Sequence, residues 1–188
     1  MPIRIRRIRL SDYEDLVALL EMSGMEPRTR GRESRTAIAS QLRISRNRYL
    51  GAFDRGRLVG VVLGTQDGRK GWINRLAVHP DYRRTHIASR LVRTCERGLR
   101  AQGIQMFAAL IEPDNAASEA VFRSLGYEIL PMSNPSDTSC FLKYFVFDQS
   151  FFTCRGSVSR TSIAAVQAAA TAGGWDPLRS HVLDLLRA

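Results

Sequence analysis

The sequence predicts an α/β sandwich with a mixed central sheet flanked by helices, in the order β-α-α-β-β-β-α-β-α-β-β over residues 1–147. Three observations carry this reading. Short apolar runs joined by tight turns force antiparallel neighbours: Tyr49–Phe53 leads through Asp54-Arg55-Gly56 into Leu58–Thr65, and a further turn leads to Trp72–Val78. An amphipathic stretch separates Trp72–Val78 from the apolar run Gln105–Ile111, and a helical crossover of that kind forces a parallel pair. With 188 residues the chain is long enough for one domain with a buried core and a C-terminal appendage.

The elements follow in order. Ile3 to Arg9 alternates apolar and cationic residues, the pattern of a half-buried strand. Ser11 with Glu14 three residues on is a capping box, predicting a helix over Asp12–Met22 with Leu16, Leu19 and Leu20 on one face. Gly24, Pro27 and Gly31 make Ser23–Gly31 a loop. A second helix over Arg32–Ile44 carries Ile38 and Leu42 inward. After the hairpin strands, the helix Ile87–Ala101 buries Ile87, Leu91, Val92, Cys95 and Leu99, and Gly103 ends it. Pro113-Asp114-Asn115 opens a helix over Ala116–Leu125, ended by Gly126. Tyr127–Leu130 and Cys140–Phe147 are the last strands, joined by the polar loop Pro131–Ser139. Residues 148–188 form a separate extension: an alanine-rich helix over Ser162–Ala172, a stop at Gly173-Gly174, and a helix opened by Asp176-Pro177. Its stripe of Leu178, Val182, Leu185 and Leu186 either packs on its own domain or contacts a second subunit, making a homodimer.

Composition narrows the function. No apolar run approaches the ~20 residues that cross a membrane, and the N-terminal MPIRIRRIRL lacks the apolar region of a signal peptide, so a cytoplasmic location is expected. Cys95, Cys140 and Cys154 fit neither a disulfide framework nor a metal site, and Cys95 and Cys140 read as small apolar fillers. No metal is expected. The net charge is +10, and 26 of 28 cations are arginine. That bias points to nucleic acid or acidic ligands, or is a compositional habit. Charge is the sole support for nucleic acid, so it is not the expected partner. The run Arg28–Arg48, with seven arginines against the single acid Glu33, is harder to dismiss.

The most informative stretch is Trp72–Ala101, WINRLAVHPDYRRTHIASRLVRTCERGLRA. An apolar strand enters an arginine-rich turn that opens directly into a long helix. Unpaired N–H groups and the helix dipole at that start, beside Arg83 and Arg84, make a site for a phosphate or pyrophosphate.

The phrase NRLAVHPDYRR ahead of a helix, with PDNAASEAVFRSLGY about 30 residues later, resembles the two signatures of the GNAT superfamily of acetyl-CoA-dependent N-acetyltransferases. The resemblance covers residues 1–147 and implies acetyl-CoA as co-substrate. It implies that backbone groups of Leu76, Ala77 and Val78 pair with the pantetheine arm, that of Leu76 polarising the thioester carbonyl. Arg83, Arg84, Thr85, His86, Ile87, Ala88 and Ser89 would wrap the pyrophosphate. Asn115 and Ser118 would lie on the pantetheine arm, and Phe122 would border the sulfur. Two positions depart from the pattern. His86 stands where the family's motif has its first glycine; it adds bulk that forces another backbone, is neutral, or donates from its imidazole to the pyrophosphate. Phe122 stands where many relatives have a tyrosine acid, and a phenyl ring donates no proton. A thiolate with a reference pKa near about 8.5 leaves without one.

The implied reaction is direct attack of a neutral primary amine on acetyl-CoA in a ternary complex. Asn74 stands near where some relatives carry a basic glutamate, leaving Glu112 as the candidate base and Glu33 as a weaker one. A weak base suits a weakly basic amine. At pH 7 an α-amine is neutral about 10% of the time and a lysine amine about 0.04%, so small-molecule or peptide α-amines are favoured. If Arg32 and Arg35 face the cleft, the acceptor is acidic. The alternative is a non-catalytic sensor or interaction protein that binds acetyl-CoA or CoA, to which His86, Asn74 and Phe122 all lean.

Overall fold

The computed structural model describes residues 3–44, 48–112, 115–130 and 139–144, all within the compact unit Met1–Phe145. A seven-stranded sheet runs in the order β1-β2-β3-β4-β5-β7-β6. Its strands are β1 (Arg4–Arg7), β2 (Arg48–Asp54), β3 (Arg57–Gln66), β4 (Lys70–Val78), β5 (Met106–Ile111), β6 (Glu128–Leu130) and β7 (Ser139–Tyr144). The helices are α1 (Tyr13–Met22), α2 (Arg35–Arg43), α3 (Ile87–Arg100) and α4 (Ala116–Ser124). Every described neighbour pair is antiparallel except β4 and β5, which are parallel around the α3 crossover. The expected order and sheet type are met. The expected extension 148–188, its apolar stripe, residues 131–138 of the expected loop, Pro113-Asp114 and Cys154 lie outside the described residues, as does the Cys140 side chain.

Two apolar layers sandwich the sheet. One face packs Leu50, Val59, Val62, Ile73 and Phe107 against Ile87, Leu91, Val92, Cys95 and Leu99 of α3 and Phe122 of α4. The other packs Tyr49, Phe53, Val61, Leu63 and Ala77 against Leu16, Leu19 and Leu20 of α1 and Ile38 of α2.

Two local expectations are corrected, and one buried residue is added to a third. The Ser11–Glu14 capping box does not form. Leu10–Asp12 is a 3-10 turn instead, and the buried Asp12 carboxylate accepts the Arg9 N–H at 2.7 Å and the Arg6 guanidinium at 2.7 and 2.9 Å. A cation supplied by β1 decides that cap, which local spacing does not reveal. The second helix begins at Arg35 rather than Arg32, because the Ser34 side chain accepts the Ala37 N–H and sets the start. Finally, α3 buries Glu96 along with its apolar stripe; Tyr127 donates to that carboxylate at 2.9 Å, and Arg100 lies 3.6 Å from it.

Candidate active site

Strands β4 and β5 pair only through Lys70, Gly71 and Trp72 against Met106, Phe107 and Ala108. Beyond Trp72 and Ala108 they part. Both point the same way, so their carboxyl ends, and the starts of α3 and α4 that follow them, flank one opening. Open α/β sheets bind ligands at such crevices outside the carboxyl ends of parallel strands.

A bulge sets what β4 presents there. The register is Leu63 to Asn74 but Val61 to Ala77, so one extra residue stands on β4, and Arg75 takes φ +49°. The extra residue reverses the alternation. Ile73 belongs to the α3 layer, whereas Ala77, four residues on, belongs to the α1–α2 layer. The His79 N–H donates to the Val59 carbonyl at 2.9 Å. Strand pairing alternates, so the main chain of Ala77 also faces β3, while that of Val78 and Leu76 faces the edge β5 has left. The Ser23 hydroxyl reaches the Val78 carbonyl from that open side at 3.5 Å. Of the three residues expected to pair with the pantetheine arm, Ala77 turns its main chain to β3, and Leu76 and Val78 turn theirs to the other edge of β4.

After β4 the chain makes a 3-10 turn, Pro80–Tyr82, and the exposed run Arg83–His86 before α3. The turn is fixed to the β2–β3 hairpin. Tyr82 donates to Asp54 at 2.8 Å, and an Arg57 nitrogen lies 2.8 Å from His79 Nε2. Arg84 and His86 take φ +62° and +61°, the left-handed region that favours glycine. His86 therefore occupies its glycine position in a glycine-like conformation and does not force the turn elsewhere. It is exposed, precedes the first turn of α3 and makes no side-chain cap, so the first N–H groups of α3 keep no cap from His86. Ile87 anchors the helix in the core, and Ala88 and Ser89 are half-buried.

On the opposite flank, Asn115 caps α4: its side-chain oxygen accepts the Ser118 N–H at 3.1 Å. That leaves the Asn115 amide nitrogen as the donor available to a ligand. Phe122 is 3% exposed and packs edge-on against Tyr127, with ring centroids 4.9 Å apart. Glu112 follows β5 and is exposed, its carbonyl accepting the Asn115 N–H at 3.3 Å.

The remaining candidates have partners of their own. Arg35 pairs with Glu14 of α1 at 3.2 Å and lies over the Tyr13 ring. Arg32 pairs with Glu33 at 2.9 Å. Glu33 is buried, and its carboxylate also accepts the Arg28 N–H at 2.9 Å and two Arg75 donors at 3.0 and 2.7 Å. Burial pushes this carboxyl up, but the Arg28 N–H, the Arg75 guanidinium and the Arg32 charge together outweigh burial and hold it below the ordinary range. A carboxylate so stabilised is a poor proton acceptor, so Glu33 is an ion-pair anchor between the α1–α2 segment and the β4 bulge. Arg75 is the residue sequence reasoning missed. Its signal was the pair of adjacent polar residues Asn74-Arg75, which breaks the strand's alternation.

Among the described residues, no helix is long and apolar enough to cross a membrane, and no group of three or more His, Cys, Asp or Glu could hold a metal ion.

A sheet parted between two parallel strands, with a cationic turn heading the crossover helix, suits a phosphate-bearing ligand. Residues 10–127 match the model of the Acetyltransferase (GNAT) family; the chain belongs to that family and is an acyltransferase. An acetyltransferase from Sodalis glossinidius is 30% identical over 128 residues, covering 68% of this chain and 88% of that protein. One from Photorhabdus laumondii is 28% identical over 150 residues, covering 79% and 100%. The fold is shared with a PaiA N-acetyltransferase from Thermoplasma acidophilum solved with coenzyme A, at TM-score 0.68 and 20% identity, covering 77% of this chain and all of that one.

Proposed function

We propose that this chain transfers an acetyl group from acetyl-CoA to a primary amine by direct attack in a ternary complex. The observation that carries the reading is the opening between β4 and β5, with the main chain of Leu76 and Val78 on its edge. In this reading the Val78 groups and the Asn115 amide hold the pantetheine arm, and Arg83 to Ser89 with the start of α3 hold the pyrophosphate. The Leu76 N–H faces the thioester oxygen, where it stabilises the oxyanion of the tetrahedral intermediate. Phe122 forms the apolar wall beside the sulfur and donates no proton, so the thiolate leaves and is protonated by water. Residues 1–147 carry these steps, with 148–188 as an appendage, and the protein works in the cytoplasm.

Glu112 is the candidate base. It is exposed, and deprotonation of the acceptor passes through water to it. A base of that kind favours an amine already partly neutral at pH 7, hence an α-amine of a peptide or amino-acid-like molecule over a lysine side chain. Arg32 and Arg35, 63% and 54% exposed along their side chains, are available to an acidic acceptor despite their present partners.

The test has two stages. Calorimetric titration with acetyl-CoA at moderate salt should give saturable one-site binding; none at millimolar concentration overturns the reading. CoA release is then measured with peptides that differ only in offering a free N-terminus or a lysine amine. Faster turnover with the N-terminus is expected, and equal or faster lysine turnover removes the α-amine preference. Arg32→Ala with Arg35→Ala should raise KM for an acidic acceptor and leave acetyl-CoA binding unchanged.

A further inference from the structure

We propose that the outer face of α3, with the adjoining ends of β1 and β2, docks on the sugar–phosphate backbone of a nucleic-acid duplex. This surface is separate from the acetyl-transfer site and does not depend on that reading.

Helix α3 buries Ile87, Leu91, Val92, Cys95, Glu96 and Leu99. Its exposed flank carries Arg90, Arg93 and Arg97. At 3.6 residues per turn these three fall within an arc of about 60° and span about 10 Å along the axis. Arg90 donates to the Ile3 carbonyl at 2.9 Å, and Arg97 donates to the Thr94 hydroxyl at 3.1 Å. Among the described residues none of the three is in an ion pair; the one acid of α3, Glu96, is buried against Tyr127. Two more arginines join from the sheet. Ile3 and Ile5 pack on the α3 layer, and strand alternation puts Arg7 on that face with them. The Arg48 side chain runs against Gly98 of α3. Burial and then the charge of Arg7 hold the Arg48 guanidinium below its ordinary range.

Arginines three and four residues apart on a helix repel one another, and solvated helix faces relieve this with acids at the same spacing. Among the described residues the α3 face has none. A stripe of one sign along a helix is the footprint of a polyanion. Overall charge alone does not make that case; its concentration on one face does. The guanidinium fork matches two phosphate oxygens at once. Among the described residues the exposed large apolar ones are Leu10, Met22, Ile44 and Leu110, none of them on α3 or β1. The face therefore lacks the apolar anchors of a membrane-bound helix and the aromatic platforms that stack single-stranded bases. Phosphates of a duplex need neither.

The test is fluorescence anisotropy of the full chain with a labelled 20-base-pair duplex, made once as DNA and once as RNA, between 50 and 200 mM salt. Each phosphate neutralised adds about −0.9 to the slope of log affinity against log salt. Replacing Arg90, Arg93 and Arg97 with alanine should flatten the slope by about 2 to 3 and weaken binding at least about tenfold at 100 mM salt. A control variant loses the same charge at the exposed Arg55, Arg69 and Arg123 and should stay within about twofold of the parent. Arg93→Gln alone, at a side chain without a partner among the described residues, keeps the test readable if the triple variant misfolds. Equal losses in the two triple variants would reduce the effect to net charge and overturn the proposal. So would tighter binding of anionic phosphatidylserine vesicles or polyglutamate than of either duplex.

Discussion

His86 holds φ +61° with a side chain in a conformation that glycine adopts freely. A non-glycine residue there is strained, and histidine tolerates it better than most. His86→Gly relieves that strain and gives up some unfolded-state rigidity, so it should leave stability unchanged or raise it by up to about 1 kcal/mol. Thermal unfolding measures this, and acetyl-CoA affinity should not fall. A clear loss of affinity would assign the imidazole to the pyrophosphate. Glu33 is the opposite case: its value lies in its partners. Glu33→Gln leaves Arg75, 19% exposed along its side chain, facing a neutral amide, and should cost about 2–3 kcal/mol. The pH dependence follows in sign. The folded carboxyl lies below its unfolded value, so its stabilisation is complete above the ordinary carboxylate range and is lost as pH falls through the lowered folded value. Acid denaturation of the parent and of Glu33→Gln should therefore converge at low pH. His86 was visible in the sequence as a departure from a glycine; the ion pair was not, because Glu33 and Arg75 are 42 residues apart.

At the scale of elements, alternation and the 3.6 period located every described strand and helix, because one face of each must be buried whatever its neighbour. What they missed is where a partner from elsewhere intervenes: Arg6 on the α1 cap, Tyr127 on Glu96, and the bulge at Arg75. The seating of α3 on the sheet is one such partnership. A side chain at Gly64 of β3 would collide with Cys95 Sγ, and one at Gly60 would meet Ile87 at 2.8 Å and Leu91 at 3.1 Å. These glycines let the helix approach closely enough to bury its stripe. Gly64→Ala should destabilise the protein by about 1–3 kcal/mol through overpacking. Cys95→Ala, which removes the colliding sulfur, should recover part of that loss when combined with it. Denaturant midpoints of the two single variants and the double form the cycle, and strict additivity would mean that the helix does not sit on Gly64. Burial pushes the Cys95 thiol up to about 12, so it stays protonated and unreactive until the protein unfolds.

For the whole molecule, the parting of β4 and β5 is a structural cost that acetyl-CoA offsets if the proposed function holds. Past Trp72 the outer edge of β4 loses its parallel neighbour, and beyond it the Val78 carbonyl accepts the Ser23 hydroxyl at 3.5 Å. The family resemblance singled out Leu76, Ala77 and Val78 but treated them alike, since a one-dimensional pattern does not say which way each N–H points. The pairing of His79 with Val59 does. If acetyl-CoA fills the opening, hydrogen exchange should separate the three. The Leu76 and Val78 amides should exchange quickly in the free protein and become protected when acetyl-CoA is added. The Ala77 amide, committed to β3, should be slow in both states. The ligand should also raise the unfolding midpoint, with about 2.7 kcal/mol of added stability at a hundredfold excess over Kd. Protection confined to Arg83–Ser89 would mean that the turn holds the phosphates while the acyl end lies elsewhere. Protection of Leu76 and Val78 without Ala77 would place the thioester arm along the open edge of β4, because only a ligand running parallel to that edge can satisfy alternate residues and leave the one between them unchanged.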